Sequence, residues 1–593
     1  MLVSEIILDY LVSKDVKKVF LLTGGAVSFL VDKFHGREDI GHVCTAHEQS
    51  AAMAADAYSR MRPESIGVAI ATSGPGGTNL LTGIGCSWFD SIPVLMITGQ
   101  VNTYEAKGKL HVRQIGFQEL DIVDVVRPIT KFAAQVNDPQ DILYFLQKAV
   151  HIAKSGRPGP VLLDIPMDIQ RREVDLSTLR QFIPEDDTST YHINCRDRMD
   201  ACLELLCSSK RPILLAGGGV RNAGATGALK AVSERLGIPV GTSTNGIDSF
   251  PHDHPNFAGF IGVYGNRAAN FALASCDLLI AVGSRLDSRQ TGVKCELFAR
   301  KARKIVVDID AEELNVRIKA DVALHSDARV FLDHLGQATE KLEFPDHSEW
   351  LEKIRQWKFQ YPACPPEARN LTDRINPYVF LEALSKELGP DDVVTLDSGQ
   401  NMLWGMQTIS SRARMRMFTA GGMSPMGYSL PAAIGAAFAH KQGRIVCLIG
   451  DGGLQINIQE LETLCRYNLP VSVFVMNNKS LGLIRQFQDD YLNARYVASV
   501  PQEDYPRPDF ARIAAGYGIK SMKITVPDEI PRALKEVLNT QGPALCDVNL
   551  YPRSDVYCKA VMGHPIEDQQ PYLEREELFS NILIDFDKAV YQL

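Results

Sequence analysis

The stretch from Gly450 to Asn478 constrains this chain more than any other. An apolar run over 444–449 reads as a buried strand and leads into Gly450-Asp451-Gly452-Gly453. A helix is expected over 456–467, then a second strand over 471–475 that ends in Met476-Asn477-Asn478. A strand–helix–strand unit of this kind belongs to a parallel sheet. It sets polar oxygens at the carboxyl ends of both strands, where such sheets hold ligands. Asp451 and Asn478 are hard oxygen donors. Mg2+ takes a few protein oxygens and completes its shell with water or phosphate. The glycines let backbone N–H groups approach a diphosphate. Gly-Asp-Gly alone would equally be an ordinary nucleotide-type turn; the Asn pair after such a gap sharpens the reading.

Length and composition frame this unit. A chain of 593 residues exceeds one domain, and about three or four are expected. Apolar residues make up 45%, enough for sizeable cores. The net charge of −9, from 62 basic and 71 acidic residues, argues against a nucleic-acid partner and offers no basic patch to a membrane. The 12 cysteines form no Cys-x-x-Cys pair and no His/Cys cluster at zinc spacing. They read as reduced, mostly buried thiols of a cytoplasmic protein. No run of about 18 apolar residues offers a membrane span, and residues 1–14 lack the basic start and cleavage site of a signal peptide.

Strands followed by glycine turns recur along the chain. Strands are expected over 16–22, 41–45, 66–72, 94–98 and 161–165; the first ends in Thr23-Gly24-Gly25-Ala26 and the third in Ser73-Gly74-Pro75-Gly76-Gly77. A second set, over 213–216, 278–282 and 304–307, runs into Gly217-Gly218-Gly219, Gly283-Ser284-Arg285 and Asp308-Ile309-Asp310. Apolar strands alternating with helices mean parallel sheets with right-handed crossovers. The fold class is therefore α/β, with three doubly wound parallel-sheet domains over 1–185, 192–342 and 377–593, the last with a C-terminal tail. A polar linker is expected over 184–191 and a proline-rich one over 343–376. The first and third domains read as one theme used twice.

His47-Glu48-Gln49 follows the strand over 41–45 and opens a helix expected over 51–60. Taken alone, a carboxylate at such a junction can simply stabilise the helix N-terminus.

Together these motifs resemble the thiamine-diphosphate enzymes, in particular the acetohydroxyacid (acetolactate) synthase and pyruvate oxidase branch, large catalytic subunit type. Matching stretches run from Thr23-Gly24-Gly25-Ala26 and His47-Glu48-Gln49-Ser50-Ala51-Ala52 through Ser73-Gly74-Pro75-Gly76, Gly116-Phe117-Gln118-Glu119 and Gly156-Arg157-Pro158-Gly159-Pro160 to Met426-Gly427-Tyr428-Ser429-Leu430-Pro431. The resemblance covers nearly the whole chain. It implies a pyrimidine-binding domain (1–185), a central FAD-type domain (192–342) and a diphosphate-binding domain (377–593). It further implies that thiamine diphosphate lies between the first domain of one subunit and the third of its partner, in a homodimer or homotetramer.

Residue roles follow from the resemblance by position. Glu48 would hydrogen-bond the aminopyrimidine of thiamine diphosphate and share a proton with it, which suits a carboxyl kept partly protonated by burial. Asp451, Asn478 and the Ser480 carbonyl would hold Mg2+. Gln400, Asn401, Gly450, Gly452, Gly453 and Ser73 would face the cofactor; Met426 would bend it and Ser424 would meet its aminopyrimidine. Gly25 and Gln118 would be polar stabilisers of the reacting group, and Phe117 would wall the pocket. Arg157, Gly218, Ser243, Thr244, Gly283, Arg285, Asp287, Asp308 and Ile309 would contact FAD, which in synthases of this type is structural. The alternative is an empty central domain, as in simple 2-keto acid decarboxylases.

The sequence departs from the synthase pattern where an acceptor would bind. Met167 stands where synthases have Lys, Phe487 where they have Trp, and Ser288 where they have Asp; Arg289 is kept. Met167, Phe487, Ile484 and Arg289 are the candidate substrate contacts. The expected activity is decarboxylation of a 2-keto acid, pyruvate first, and transfer of the two-carbon unit to a second keto acid or a ketosugar. A flavin-dependent pyruvate oxidase, a simple decarboxylase and a non-catalytic cofactor-binding subunit are the alternatives.

Overall fold

The computed structural model describes residues 1–184, 189–340, 342–440, 442–506 and 508–591. Three six-stranded parallel sheets dominate it. The first contains β1 (Lys18–Leu21), β2 (Gly41–Cys44), β3 (Gly67–Ala71), β4 (Val94–Gln100), β5 (Phe132–Gln135) and β6 (Val161–Pro166), in the order β2-β1-β3-β4-β6-β5. The second contains β7 (Pro212–Ala216), β8 (Val240–Thr242), β9 (Phe257–Phe260), β10 (Leu278–Val282), β11 (Arg303–Asp308) and β12 (Val322–His325), ordered β12-β11-β10-β7-β8-β9. The third contains β13 (Val393–Leu396), β14 (Arg416–Phe418), β15 (Ile445–Gly450), β16 (Val471–Asn477), β17 (Lys520–Ile524) and β18 (Ala544–Asn549), ordered β14-β13-β15-β16-β18-β17.

The first and third sheets share one strand order, so the repeated theme read from the glycine turns is a repeated topology. Helices cover both faces of each sheet, which is why the central strands are apolar without alternation: every residue of β16 is buried. Each order has a switch point where the chain reverses direction near the middle of the sheet, between β1 and β3, between β7 and β10, and between β13 and β15. Such reversals leave a crevice at the strand carboxyl ends.

The first and third domains meet through two helices, Glu48–Met61 and Ser429–Ala439. The first starts at Glu48, where His47 Nδ1 accepts from Gln49 N at 3.0 Å, and its alanines keep one face thin. A Cβ at Gly435 would fall 2.1 Å from the Ala54 carbonyl, so the close packing of these helices requires glycine there. Buried Asp56 ties the pair together, accepting from Tyr428 Oη at 2.5 Å, Ser87 Oγ at 2.8 Å and Arg60 Nε at 2.7 Å.

Three expectations need correction. The helix expected over 456–467 begins at Asp451 itself and is broken at 457–459, giving Asp451–Ile456 and Glu460–Arg466; Asn457 leaves helical geometry to bond the Gly427 carbonyl at 2.8 Å. The linker expected over 343–376 holds a helix, Ser348–Gln360, whose Trp350, Ile354 and Trp357 repeat at helical spacing and enter the core of the central domain. Of the polar linker over 184–191, residues 185–188 lie outside the described residues, and a helix, Ser189–Ser208, has begun by 189. The C-terminal tail folds back on the central domain: Trp357 Nε1 donates to Asn581 Oδ1 at 2.7 Å, and Arg300 pairs with buried Glu567 at 2.7 Å. Among the described residues no helix is long and apolar enough to cross a membrane.

Candidate cofactor sites

The crevice between β13 and β15 is a cavity of about 130 Å³. Gln400, Asn401, Met426, Gly450, Asp451, Gly452, Gly453, Asn478, Ser480 and Ile484 line it, together with Ser398, Trp404 and Leu481. Ser424 stands just outside, its hydroxyl 3.0 Å from that of Ser398. The topology explains the convergence: β13, β15 and β16 are adjacent, and each delivers its terminal residues to the same end of the sheet.

Asp451 is buried, and burial lifts its carboxyl to about 7, while the Gly452 N–H and the Tyr505 hydroxyl pull it down. A bound cation would return it to the carboxylate form. Asn478 is fixed by its neighbour: its Nδ2 donates to Gln400 Oε1 at 2.9 Å. Its Oδ1 receives only a 3.3 Å bond from Ser480 N and is the atom free for a cation. Gln400 Nε2 in turn donates to Gln486 Oε1 at 3.1 Å, which also accepts from Val556 N at 3.1 Å.

The residues fit a diphosphate and a hard cation on a further count. Asn401 Oδ1 and Ser480 Oγ are buried and have no hydrogen-bond partner among the described residues. Unpaired buried polar atoms are costly, and two on one small cavity mark it as made for a polar ligand.

Sequence reasoning missed Asp397. It is fully enclosed, accepts from Gly427 N and Ser429 N at 3.1 Å each, and so holds the loop that carries Met426. A Cβ at Gly453 would fall 1.8 Å from Asp397 Oδ2, so this carboxyl also seats the Gly450–Gly453 turn. Burial raises it to about 7. Its place at the carboxyl end of β13 was the available signal.

The first sheet supplies a matching crevice. Gly25 follows β1 and Ser73 follows β3. A Cβ at Gly74 would fall 2.9 Å from the Gln118 carbonyl, which brings the Gln118 turn to the same end. Phe117 is 85% exposed. Glu48 is buried and accepts from Asn79 Nδ2 at 2.9 Å, a partner the sequence did not indicate. None of Glu48, Gly25, Ser73, Phe117, Gln118 or Met167 lines the cavity around Asp451. Met167 opens the short helix after β6. Phe487 is partly exposed on the helix Gly482–Tyr491, its ring 4.8 Å from that of Tyr491.

A second cavity, of about 500 Å³, opens at the β7/β10 reversal. Arg157, Gly218, Ser243, Thr244, Gly283, Arg285, Asp287, Asp308 and Ile309 all line it, and Phe89, Asp90, Gly421 and Gly422 close it from the other two domains. Arg289 belongs to this cavity and not to the one around Asp451; its guanidinium lies over the Tyr264 ring at 5.8 Å. Asp308 is lifted to about 6 by burial. Asn245 Oδ1, on the wall, is buried and unpaired among the described residues. The volume lies within the about 300–1,000 Å³ usual for a cofactor pocket, and the donors suit a polar, hydroxyl-bearing ligand such as FAD.

Three switch-point sheets, a Gly-Asp-Gly turn facing an Asn amide and a Glu at a helix start define a cofactor-dependent enzyme. Comparison with known proteins agrees. The N-terminal TPP binding domain of thiamine pyrophosphate enzymes matches residues 1–125, the central domain 199–335 and the C-terminal TPP binding domain 397–548. Relatives include the acetolactate synthase large subunit of Cyanidium caldarium, 35% identical over 562 residues (92% of this chain, 94% of the relative). The isozyme 2 large subunit of Escherichia coli is 35% identical over 545 residues (92% and 95%). The acetolactate synthase large subunit of Parasynechococcus marenigrum is 36% identical over 582 residues (94% and 91%). The chain belongs to the thiamine-diphosphate-dependent enzymes of the acetolactate synthase family.

Proposed function

We propose that this enzyme decarboxylates pyruvate and transfers the two-carbon unit to a second carbonyl, that of a 2-keto acid or a ketosugar. The observation that carries the reading is the meeting of Asp451, the oriented Asn478 amide and unpaired Asn401 and Ser480 oxygens on one cavity. Asp451, Asn478 Oδ1 and the Ser480 carbonyl would hold Mg2+, and the Gly450–Gly453 turn would hold the diphosphate. Thiamine diphosphate, when bound there, would supply a carbon nucleophile and an electron sink for decarboxylation of a 2-keto acid. Glu48 would share a proton with the aminopyrimidine; its bond from Asn79 keeps one oxygen engaged and the carboxyl in place. Gly25 N–H and Gln118 stabilise developing charge. Phe117 and Ile484 exclude water.

The cavity around Asp451 is smaller than a usual cofactor pocket and holds no residue of the first domain. Glu48 therefore acts from a second copy of the chain, in a homodimer or homotetramer. The apolar side chains Leu110, Ile115, Phe117, Ile484 and Phe487 are exposed on the single chain and would be covered there. FAD occupies the central cavity as a structural group. All 12 cysteines are free, which suits the cytoplasm.

Met167 and Phe487 replace a cation and a larger aromatic at the acceptor side, so a small anionic acceptor gains less than in a synthase and a larger neutral one gains more. The test is product analysis with pyruvate alone, with 2-ketobutyrate, and with a nucleotide-linked 4-ketosugar. Slow acetolactate formation and preferred acylation of the ketosugar are expected. Efficient acetohydroxybutyrate formation with the ketosugar ignored would make this an ordinary acetohydroxyacid synthase. The protein as isolated should be yellow and release FAD on denaturation. Steady flavin bleaching by pyruvate would instead make it an oxidase.

A further inference from the structure

Tyr505 lies outside every role assigned above. It ends a connecting segment that follows the helix Gly482–Tyr491, and this segment is held under strain. Asn493, Ala494, Ala498 and Asp504 have φ of 51°, 54°, 53° and 64°, in the left-handed region that side chains other than glycine avoid. Strain of this kind persists where the surroundings enforce it, and it gathers at ligand clamps. The enforcing contacts are present. Leu481, on the cavity wall, donates its N–H to the Ser499 carbonyl at 3.0 Å, and Tyr505 N donates to the Val500 carbonyl at 3.2 Å.

The segment delivers the Tyr505 ring into the third domain, where it is 7% exposed. Its hydroxyl lies against the Gly-Asp-Gly turn: a Cβ at Gly452 would fall 2.9 Å from it. That hydroxyl is buried and makes no well-formed hydrogen bond among the described residues; its contact is with the Asp451 carboxyl. Asp451 is near enough to act on it: burial and then the Asp451 carboxylate push the phenol up, and the phenol in turn draws the carboxyl down. A buried phenol O–H without a well-aligned acceptor is unfavourable, and here it lies against Gly452, a residue of the cavity that unpaired Ser480 also lines. The two hydroxyls, Tyr505 Oη and Ser480 Oγ, can each donate, and on two separate chain segments they point to one missing acceptor-rich group.

We propose that the Tyr505 hydroxyl is a donor to the diphosphate bound at the Gly450–Gly453 turn, so that the 493–505 segment clamps the anion. The proposal rests on the reading of this cavity as the diphosphate site and adds a ligand to it. Tyr505 is a binding and positioning residue; it takes no part in proton transfer.

The test is Tyr505→Phe in the full-length protein, which removes one oxygen and keeps the ring. Trp404 lines the cavity and serves as the fluorescent reporter. Titrations with thiamine diphosphate and with inorganic pyrophosphate, each with Mg2+, should both weaken about ten- to a hundredfold, the range of a charge-assisted hydrogen bond. The thermal midpoint without ligand should stay level or rise, because an unpaired hydroxyl has been removed, while the rise on adding ligand should shrink. A purely structural tyrosine gives the reverse: a lower midpoint without ligand and unchanged affinities. Affinities equal to wild type, or a loss confined to thiamine diphosphate with pyrophosphate unaffected, would overturn the proposal. A wild-type protein that binds neither probe would remove the reading of the cavity, and this proposal with it.

Discussion

Asn478 donates a hydrogen bond from its side-chain amide to Gln400 Oε1 at 2.9 Å. The bond decides which end of the Asn478 amide is left for a cation, and Gln400 is itself held by Gln486. Gln486→Leu strips acceptors from the Gln400 amide and from Val556 N. The expected cost is about 1–3 kcal/mol of stability, read by urea denaturation. Metal-dependent cofactor binding should weaken at the same time, although Gln486 does not line the cavity. Unchanged binding would show that the chain of amides does not orient Asn478.

Glu48→Gln should leave the fold intact, since the Gln side-chain oxygen can still accept from Asn79. Turnover and exchange of the cofactor's C2 hydrogen should fall by at least about 10²-fold, the lower range for a general acid–base group. Normal exchange in the variant would remove Glu48 from the mechanism.

The two glycine turns should respond in opposite ways. Gly453→Ala places a methyl 1.8 Å from Asp397 Oδ2, against a buried side chain already bonded to two backbone N–H groups. Overpacking of this kind costs about 1–3 kcal/mol or more, and loss of cofactor binding should accompany it. Gly25→Ala meets nothing within 4 Å. Its midpoint should stay near wild type, and its defect should appear in turnover alone.

Much of this was legible in the chain. The glycine turns after apolar strands pointed to the three sheets, and Gly450–Asn478 located one crevice, because strand ends are short-range features written in consecutive residues. Asp397, Asn79 and Gln486 were not legible. Each acts across a gap of tens of residues, through contacts that exist only once the chain has folded and its strands lie side by side. The helix Ser348–Gln360 was hidden by the prolines after it, although its Trp350, Ile354 and Trp357 carried the period. Arg289 reads as a contact to the acceptor's carboxylate or, nearly as well, as an FAD or structural ion pair; it follows β10 and lines the central cavity.

Asp164 gives the first domain a pH dependence of its own. Burial lifts its carboxyl from the usual 3.8 to about 6, against hydrogen bonds from Thr98, Gln100 and Gln135. The folded state therefore keeps a proton that the unfolded chain gives up. The stabilisation is full below the unfolded value and is lost as pH rises through about 6. A rise of this size corresponds to about 2–3 kcal/mol. Between pH 4 and 6 the wild type should lose stability relative to Asp164→Asn; parallel curves would show that this carboxyl titrates normally.

The proposed active site requires Glu48 of one chain to meet Asp451 of another. Glu48→Gln and Asp451→Ala should each be inactive alone. Co-expressed and purified together with separate tags, their hybrid dimer keeps one crevice with both residues intact. The hybrid purified through both tags should show about half of wild-type turnover of pyruvate, since one of its two sites works, and the unfractionated random mixture about a quarter. A purified hybrid as inactive as either parent would contradict the shared site, because both residues would then have to come from the same chain.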